Sequence, residues 1–249
     1  MIPFKHSVAI VLATAAFAAN AQKAIALKPI KSIAIKIPEP SDICYNAKSD
    51  DFFIVSDNGI LFEADRDGKI VRQVKQNDTD FEAVYSDDKN VYAVDETHRN
   101  IYIYDVNTLK IMRIVNVPYN GAKNKGYEAF TFNKSKNNFV IFTEKDPSWL
   151  FELDADFKIT NTVDISNIAT DIAAAQFHDN FLWLLSDEDM AIMKLNPNTY
   201  EVVGKWSLPV INPEGFAFDK DGSLLVTCDD MQRLYYFNNP DAGPTGETK

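Results

Sequence analysis

The sequence predicts an all-β fold: a five-bladed β-propeller of four-stranded antiparallel blades, its ring closed by an N-terminal strand that joins the last blade. Three observations predict it. First, a pattern of aromatic residue or Pro, then Glu, a small residue and an apolar run recurs along the chain, as in "FEAVYSDDKNVYAVDE" from Phe81 and "PEGFAFDKDGSLLVTCDD" from Pro213. Second, each copy continues into two more short runs of β-branched and aromatic residues, separated by Asp, Asn, Gly and Lys turns. Third, the ends complement each other: the fifth copy stops after its third run, "RLYYFNN", and a spare run, "KSIAIKI" from Lys31 to Ile37, precedes the first. One small sheet cannot bury both of its faces unless neighbours stack on it, so tandem meanders of this length point to a propeller. A β-sandwich would share the alternating strands but leave the repeat and its complementary ends unexplained.

The five copies take their register from Ser41, Glu82, Glu128, Ala173 and Glu214, at separations of 41, 46, 45 and 41 residues. They fill the chain after its first 21 residues, where Lys5 and His6 precede an apolar stretch from Val8 to Ala19 and a small-residue pattern, Ala19-Asn20-Ala21. That segment reads as a secretory signal peptide cleaved after Ala21, because it is shorter than the roughly 20 apolar residues of a spanning helix. Residues 22–240 are expected to form one propeller domain and 241–249 a disordered tail. The expected location is the periplasm or the exterior, without membrane insertion, as a monomer.

Charge narrows the partners. The chain of 249 residues carries a formal net charge of -11, which opposes nucleic acid and anionic lipid surfaces and favours a cation. Its two cysteines, Cys44 and Cys228, are too few for a disulfide framework. Ring closure is expected to bring Cys44 beside the blade that carries Cys228, which leaves both a disulfide and two buried free thiols open. Trp149, Trp183 and Trp206 are read as core between blades.

The candidate chemistry lies in two rings of acids. Inner strands line a propeller's channel, so Glu82, Glu128 and Glu214 should gather around the axis. The acids that close each second run, Asp57, Glu96, Glu144, Asp187 and Asp229, should face the same mouth, because the first two strands of a blade are antiparallel. Gathered carboxylates repel unless something compensates, and a hard cation such as Ca²⁺, which takes six to eight oxygen ligands, would do so. Magnesium fits the same donors, whereas His98 and His178, expected in turns, do not suggest a transition-metal site. The alternative is structural: acids at strand ends bond nearby backbone amides.

The motifs "EPSDICYN", "DFEAVY", "YEAFTFN" with the following "TEKDP", "LWLLSDE" and "NPEGFAFDKDGSLLV", in that order, resemble the SdiA-regulated family of exported bacterial proteins, distant relatives of NHL-repeat propellers. The resemblance runs from about Ile33 to Phe237. It implies a five-bladed propeller and a shared calcium site, to which Glu82, Glu128 and Glu144 correspond residue by residue; no enzymatic activity is implied. The fourth copy departs from the family's pattern with "IAAAQF", which leaves the channel wall there small and apolar. The resulting candidate metal set is Glu82, Glu96, Glu128, Glu144, Asp187 and Glu214. The favoured function is a non-catalytic binding module whose partner is an envelope protein, peptide or glycan. No G-x-S-x-G motif or nucleophile-base pair is evident. The alternative is a metal-dependent hydrolase, of lactonase or phosphoesterase type, using the same ion.

Overall fold

The computed structural model describes residues 25–122 and 125–243. The segment read as a signal peptide lies outside the described residues. Two short strands come first, β1 (Ile25–Ala26) and β2 (Pro29–Ala34). Blade 1 then holds β3 (Pro40–Asn46), β4 (Asp51–Ser56), β5 (Ile60–Ala64) and β6 (Ile70–Lys75), and blade 2 holds β7 (Phe81–Ser86), β8 (Asn90–Asp95), β9 (Asn100–Asp105) and β10 (Ile111–Asn116). Blade 3 is β11 (Ala129–Asn133), β12 (Asn138–Phe142), β13 (Trp149–Leu153) and β14 (Ile159–Asp164). Blade 4 is β15 (Ala174–His178), β16 (Phe181–Ser186), β17 (Ala191–Leu195) and β18 (Val202–Ser207), and blade 5 contributes β19 (Pro213–Phe218), β20 (Leu224–Cys228) and β21 (Arg233–Phe237). The inner strands touch in a closed circle, β3 to β7 to β11 to β15 to β19 and back to β3.

Burial within a blade follows from this arrangement. Second strands such as "FLWLLS" are buried on both faces, so they read as unbroken apolar runs, whereas the outer strand "IMRIVN" is almost wholly exposed. Five apolar clusters result, one per interface between blades. Trp183 and Trp206 stack at 5.2 Å between blades 4 and 5, and Trp149 packs against the cluster between blades 2 and 3. The turns from third to fourth strand are held by acceptor side chains: Asp65 accepts from the amides of Asp67 (3.0 Å) and Lys69 (2.9 Å), and Asp154 from those of Asp156 and Lys158 (2.9 Å each).

The ring closes through β2, which pairs antiparallel with β21 in the register Ser32 to Tyr235. The closing strand is therefore Pro29–Ala34, two residues upstream of the predicted start. The seam is reinforced by Arg66, which pairs with Asp219 and Asp50, and by Lys220, which reaches Asp50 at 2.6 Å. β1 was not anticipated: it adds a parallel fifth strand to blade 4 beside β18, so the N-terminal chain bridges blades 4 and 5. At the other end, Pro240–Ala242 form a 3₁₀ turn in which Asp241 pairs with Lys194 at 2.5 Å. Residues 244–249 of the predicted tail lie outside the described residues.

The cysteines are not neighbours. Both are buried and free. Strand alternation is the reason: Ile43 faces blade 5, so Cys44 faces blade 2, where its Sγ lies 3.5 Å from Ser86 Oγ. Cys228 turns toward blade 4.

Candidate functional site, the acidic mouth of the channel

Each inner strand presents its register residue through a local irregularity. The β3–β4, β7–β8 and β19–β20 ladders shift register between Pro40 and Asp42, between Phe81 and Ala83, and between Pro213 and Phe216. Ser41, Glu82 and Glu214 therefore sit in bulges, which take a residue out of the ladder and re-aim its side chain. Glu128 and Ala173 precede their strands and hold single bonds to Phe142 O (3.0 Å) and Leu185 O (2.9 Å).

The next position along is small in four blades, being Ala83, Ala129, Ala174 and Gly215, but in blade 1 it is Asp42. This carboxylate is fully buried. Its Oδ1 accepts from the Ile43 amide (2.8 Å) and its Oδ2 from the Val84 amide of blade 2 (2.9 Å), and it also accepts from the Phe216 amide of blade 5. Burial pushes its pKa well up, while the three amides pull it down. Asp42 thus ties three inner strands together around the axis. Gly215 permits this approach: a Cβ there would lie 2.5 Å from the Asp42 Cα.

At the mouth, the predicted acids divide into two groups. Glu82, Glu96 and Glu128 come together, with Glu144 and Asp57 within electrostatic reach. Glu82 shares a hydrogen bond with Asp80, and Glu128 shares one with Glu96. Burial first, then the neighbouring acids, raise Glu82 and Glu128 well above the ordinary carboxylate range. Glu96 is raised for the same reasons, although its Oε1 accepts from the Gly126 amide at 2.9 Å. The charges that dominate at Glu82 and Glu128 are all carboxylates. Asp57 is pushed up to about 6 by burial and by Glu39, and its Oδ1 is buried without a partner among the described residues.

Glu214 belongs to the second group. Burial raises its carboxyl to about 8, followed by the charges of Asp229, Asp187 and Asp171. Asp187 is raised by burial and by Asp171. Asp171 is buried beneath them and accepts from Ser186 Oγ and from the amides of Asp187 (3.2 Å) and Glu188 (3.1 Å). Glu144 differs from the rest in having a basic partner: Lys145 Nζ bridges Glu144 (2.7 Å) and Glu188 (2.8 Å).

Three members of the mouth, Glu39, Asp80 and Asp171, were missed by the sequence reading. They share a signal, because each stands two residues before a register position, at Ser41, Glu82 and Ala173. Among the described residues no three His, Cys, Asp or Glu side chains converge on one point as metal ligands do; the acids stand in pairs instead. His98 lies in a turn, its Nδ1 2.8 Å from Asp95 Oδ2, but His178 ends β15 and stacks on Phe218 at 4.1 Å.

The fold has solved counterparts. A glutaminyl cyclase from Myxococcus xanthus superposes with a TM-score of 0.67 at 15% identity, over 85% of this chain and 95% of that one. The Cps50 (Swd1) β-propeller domain from Myceliophteria thermophila superposes with a TM-score of 0.54 at 10% identity, over 84% of this chain and 99% of that one. At such identities the likeness is one of fold. Closer kinship comes from the sequence profile of the SdiA-regulated family, which matches residues 13–238, nearly the whole chain; the protein belongs to the SdiA-regulated family.

Proposed function

We propose that this protein is an exported, calcium-binding β-propeller that serves as a non-catalytic recognition module of the cell envelope. One observation carries the metal: Glu82 and Glu128 stand half-buried among Asp80, Glu96, Glu144 and Asp57, and the charges acting on them are carboxylates. Isolated charges of one sign are not kept out of water without compensation. The donors fit a hard cation in kind, being carboxylate oxygens without sulfur or imidazole, and the orphaned Asp57 Oδ1 supplies a further acceptor. Bound calcium would supply the missing positive charge. Glu82, Glu96, Glu128 and Asp57 would hold it by drawing together from the pairs in which they stand without an ion, whereas Glu144 is already committed to Lys145. Export is supported by the apolar segment before Ala21, and no helix among the described residues is long and apolar enough to cross a membrane.

Melting with calcium and after chelation tests the proposal. A ligand at 100 times its dissociation constant stabilises by about 2.7 kcal/mol, so calcium should raise the midpoint by about 5 to 10 °C for a domain of this size. The rise should shrink in Glu128→Gln. Equal midpoints with and without calcium would remove the metal from the account. One feature favours the hydrolase reading: Glu214, held near neutrality, could pass a proton. Turnover in a screen of lactones and phosphoesters, lost in Glu214→Gln, would replace the binding module by that enzyme.

A further inference from the structure

A hydrogen bond spans the channel between its two mouths. Gln176 Nε2, on the inner strand of blade 4, donates to the Ile43 carbonyl of blade 1 at 3.0 Å. Those blades are not neighbours, so this hydrogen bond crosses the axis. Beyond it, at the mouth opposite the acids, lies a cup of about 490 Å³, within the size range of small-molecule sites.

The cup is lined by aromatic rings. Tyr85 and Phe132 lie on one side with ring planes 25° apart, Phe177 lines it from blade 4, and the stacked pair of His178 and Phe218 closes the wall. Most of its charges are already engaged: Lys220 with Asp50, Asp219 with Arg66, and Asp87 with the Tyr92 hydroxyl (2.8 Å) and two turn amides. Two lining charges, Lys134 and Asp88, have no ion-pair partner among the described residues.

We propose that this cup is a binding site for a free aromatic amino acid. Its ring enters between Tyr85, Phe132 and Phe177, its carboxylate pairs with Lys134 and its ammonium with Asp88. A zwitterion satisfies both uncommitted charges at once. A ligand with a single charge meets attraction from one and repulsion from the other, and a ligand without a planar ring leaves the rings uncovered. The site is independent of the acidic mouth, because the Gln176 crossbar separates them.

Calorimetric titration with L-phenylalanine, 3-phenylpropanoate and 2-phenylethylamine tests the assignment, the last two each lacking one charge. L-phenylalanine should bind once per chain, and each analogue about threefold or more weaker, as expected for partly exposed ion pairs. Lys134→Ala should weaken L-phenylalanine and 3-phenylpropanoate by about threefold to fivefold and should strengthen 2-phenylethylamine, whose ammonium no longer meets a like charge. Phe177→Leu, which keeps apolar volume, should weaken all three by up to about tenfold with an unaltered melting midpoint. Chelation and Glu128→Gln should change none of these values. The proposal is overturned if L-phenylalanine gives no saturable heat at millimolar concentration, if both cup variants bind it as well as the parent, or if methyl β-glucoside binds in its place.

Discussion

Asp42→Ala is expected to lower the melting midpoint by about 10 °C or more. The substitution strands the amides of Ile43, Val84 and Phe216 beside the channel. Each buried donor left without a partner costs about 1 to 3 kcal/mol, and about 1 kcal/mol is worth 2 to 4 °C in a domain of this length. Asp42→Asn should fall between, since one carbonyl oxygen can serve only part of the set and its NH₂ group faces donors. Gly215→Ala should destabilise by a similar route, because the new Cβ meets the Asp42 backbone rather than a side chain that can move. Thermal melts of the three variants check this. Midpoints within about 2 °C of the parent, below the cost of even one stranded amide, would show that Asp42 is not the tie between blades 5, 1 and 2.

The second large effect is a pH dependence of the metal-free protein. Glu214 has an ordinary value of 4.5 and a folded value of about 8, so the folded state holds its proton more tightly than the unfolded chain does. The resulting stability is fully present below pH 4.5 and is lost as the pH rises through 8. Each tenfold change in proton affinity is worth about 1.4 kcal/mol, so the full loss is on the order of 5 kcal/mol. Glu82, Glu96 and Glu128 shift in the same direction and add to it. Asp50 and Asp105 shift the opposite way, but both are surface groups with small leverage. Denaturant titrations of chelated protein from pH 5 to pH 8, compared with Glu214→Gln, measure the effect. The parent should weaken across that window and the variant should weaken less; parallel curves would mean that Glu214 is not held protonated.

The blade count, the meander within each blade and the source of the twentieth blade strand were all legible, because the repeat writes them in the order of its short runs. Both acid rings, and the mouth they share, were legible for the same reason. What escaped is local or pairwise. β1 is two residues long and carries no periodicity, so only its partner β18 reveals it. The bulges at Ser41, Glu82 and Glu214 depend on the opposing strand, and Gly215 was their one sequence trace. Asp42 was visible as a departure from the small residue found in the other four copies, but the comparison was anchored one position earlier. The same anchoring hid Asp80 and Asp171. Cys44 was placed on the right strand, and the face it presents, toward blade 2, is a matter of parity that only the register decides. Division of the acids into the Glu82–Glu128 and Glu214–Asp187 groups required coordinates, since a repeat makes equivalent positions look alike whatever their distance across the ring.

The central claim is that the acidic mouth holds a cation, and calorimetric titration of calcium into chelator-treated protein near neutral pH tests it most directly. The account expects saturable binding at the mouth, weakened at least about tenfold in Glu82→Gln and Glu128→Gln because each loses a charged ligand. It also expects that binding to weaken as the pH falls, since the same carboxylates must give up their protons to take the ion. No saturable heat, or equal affinities for the parent and both variants, would contradict it.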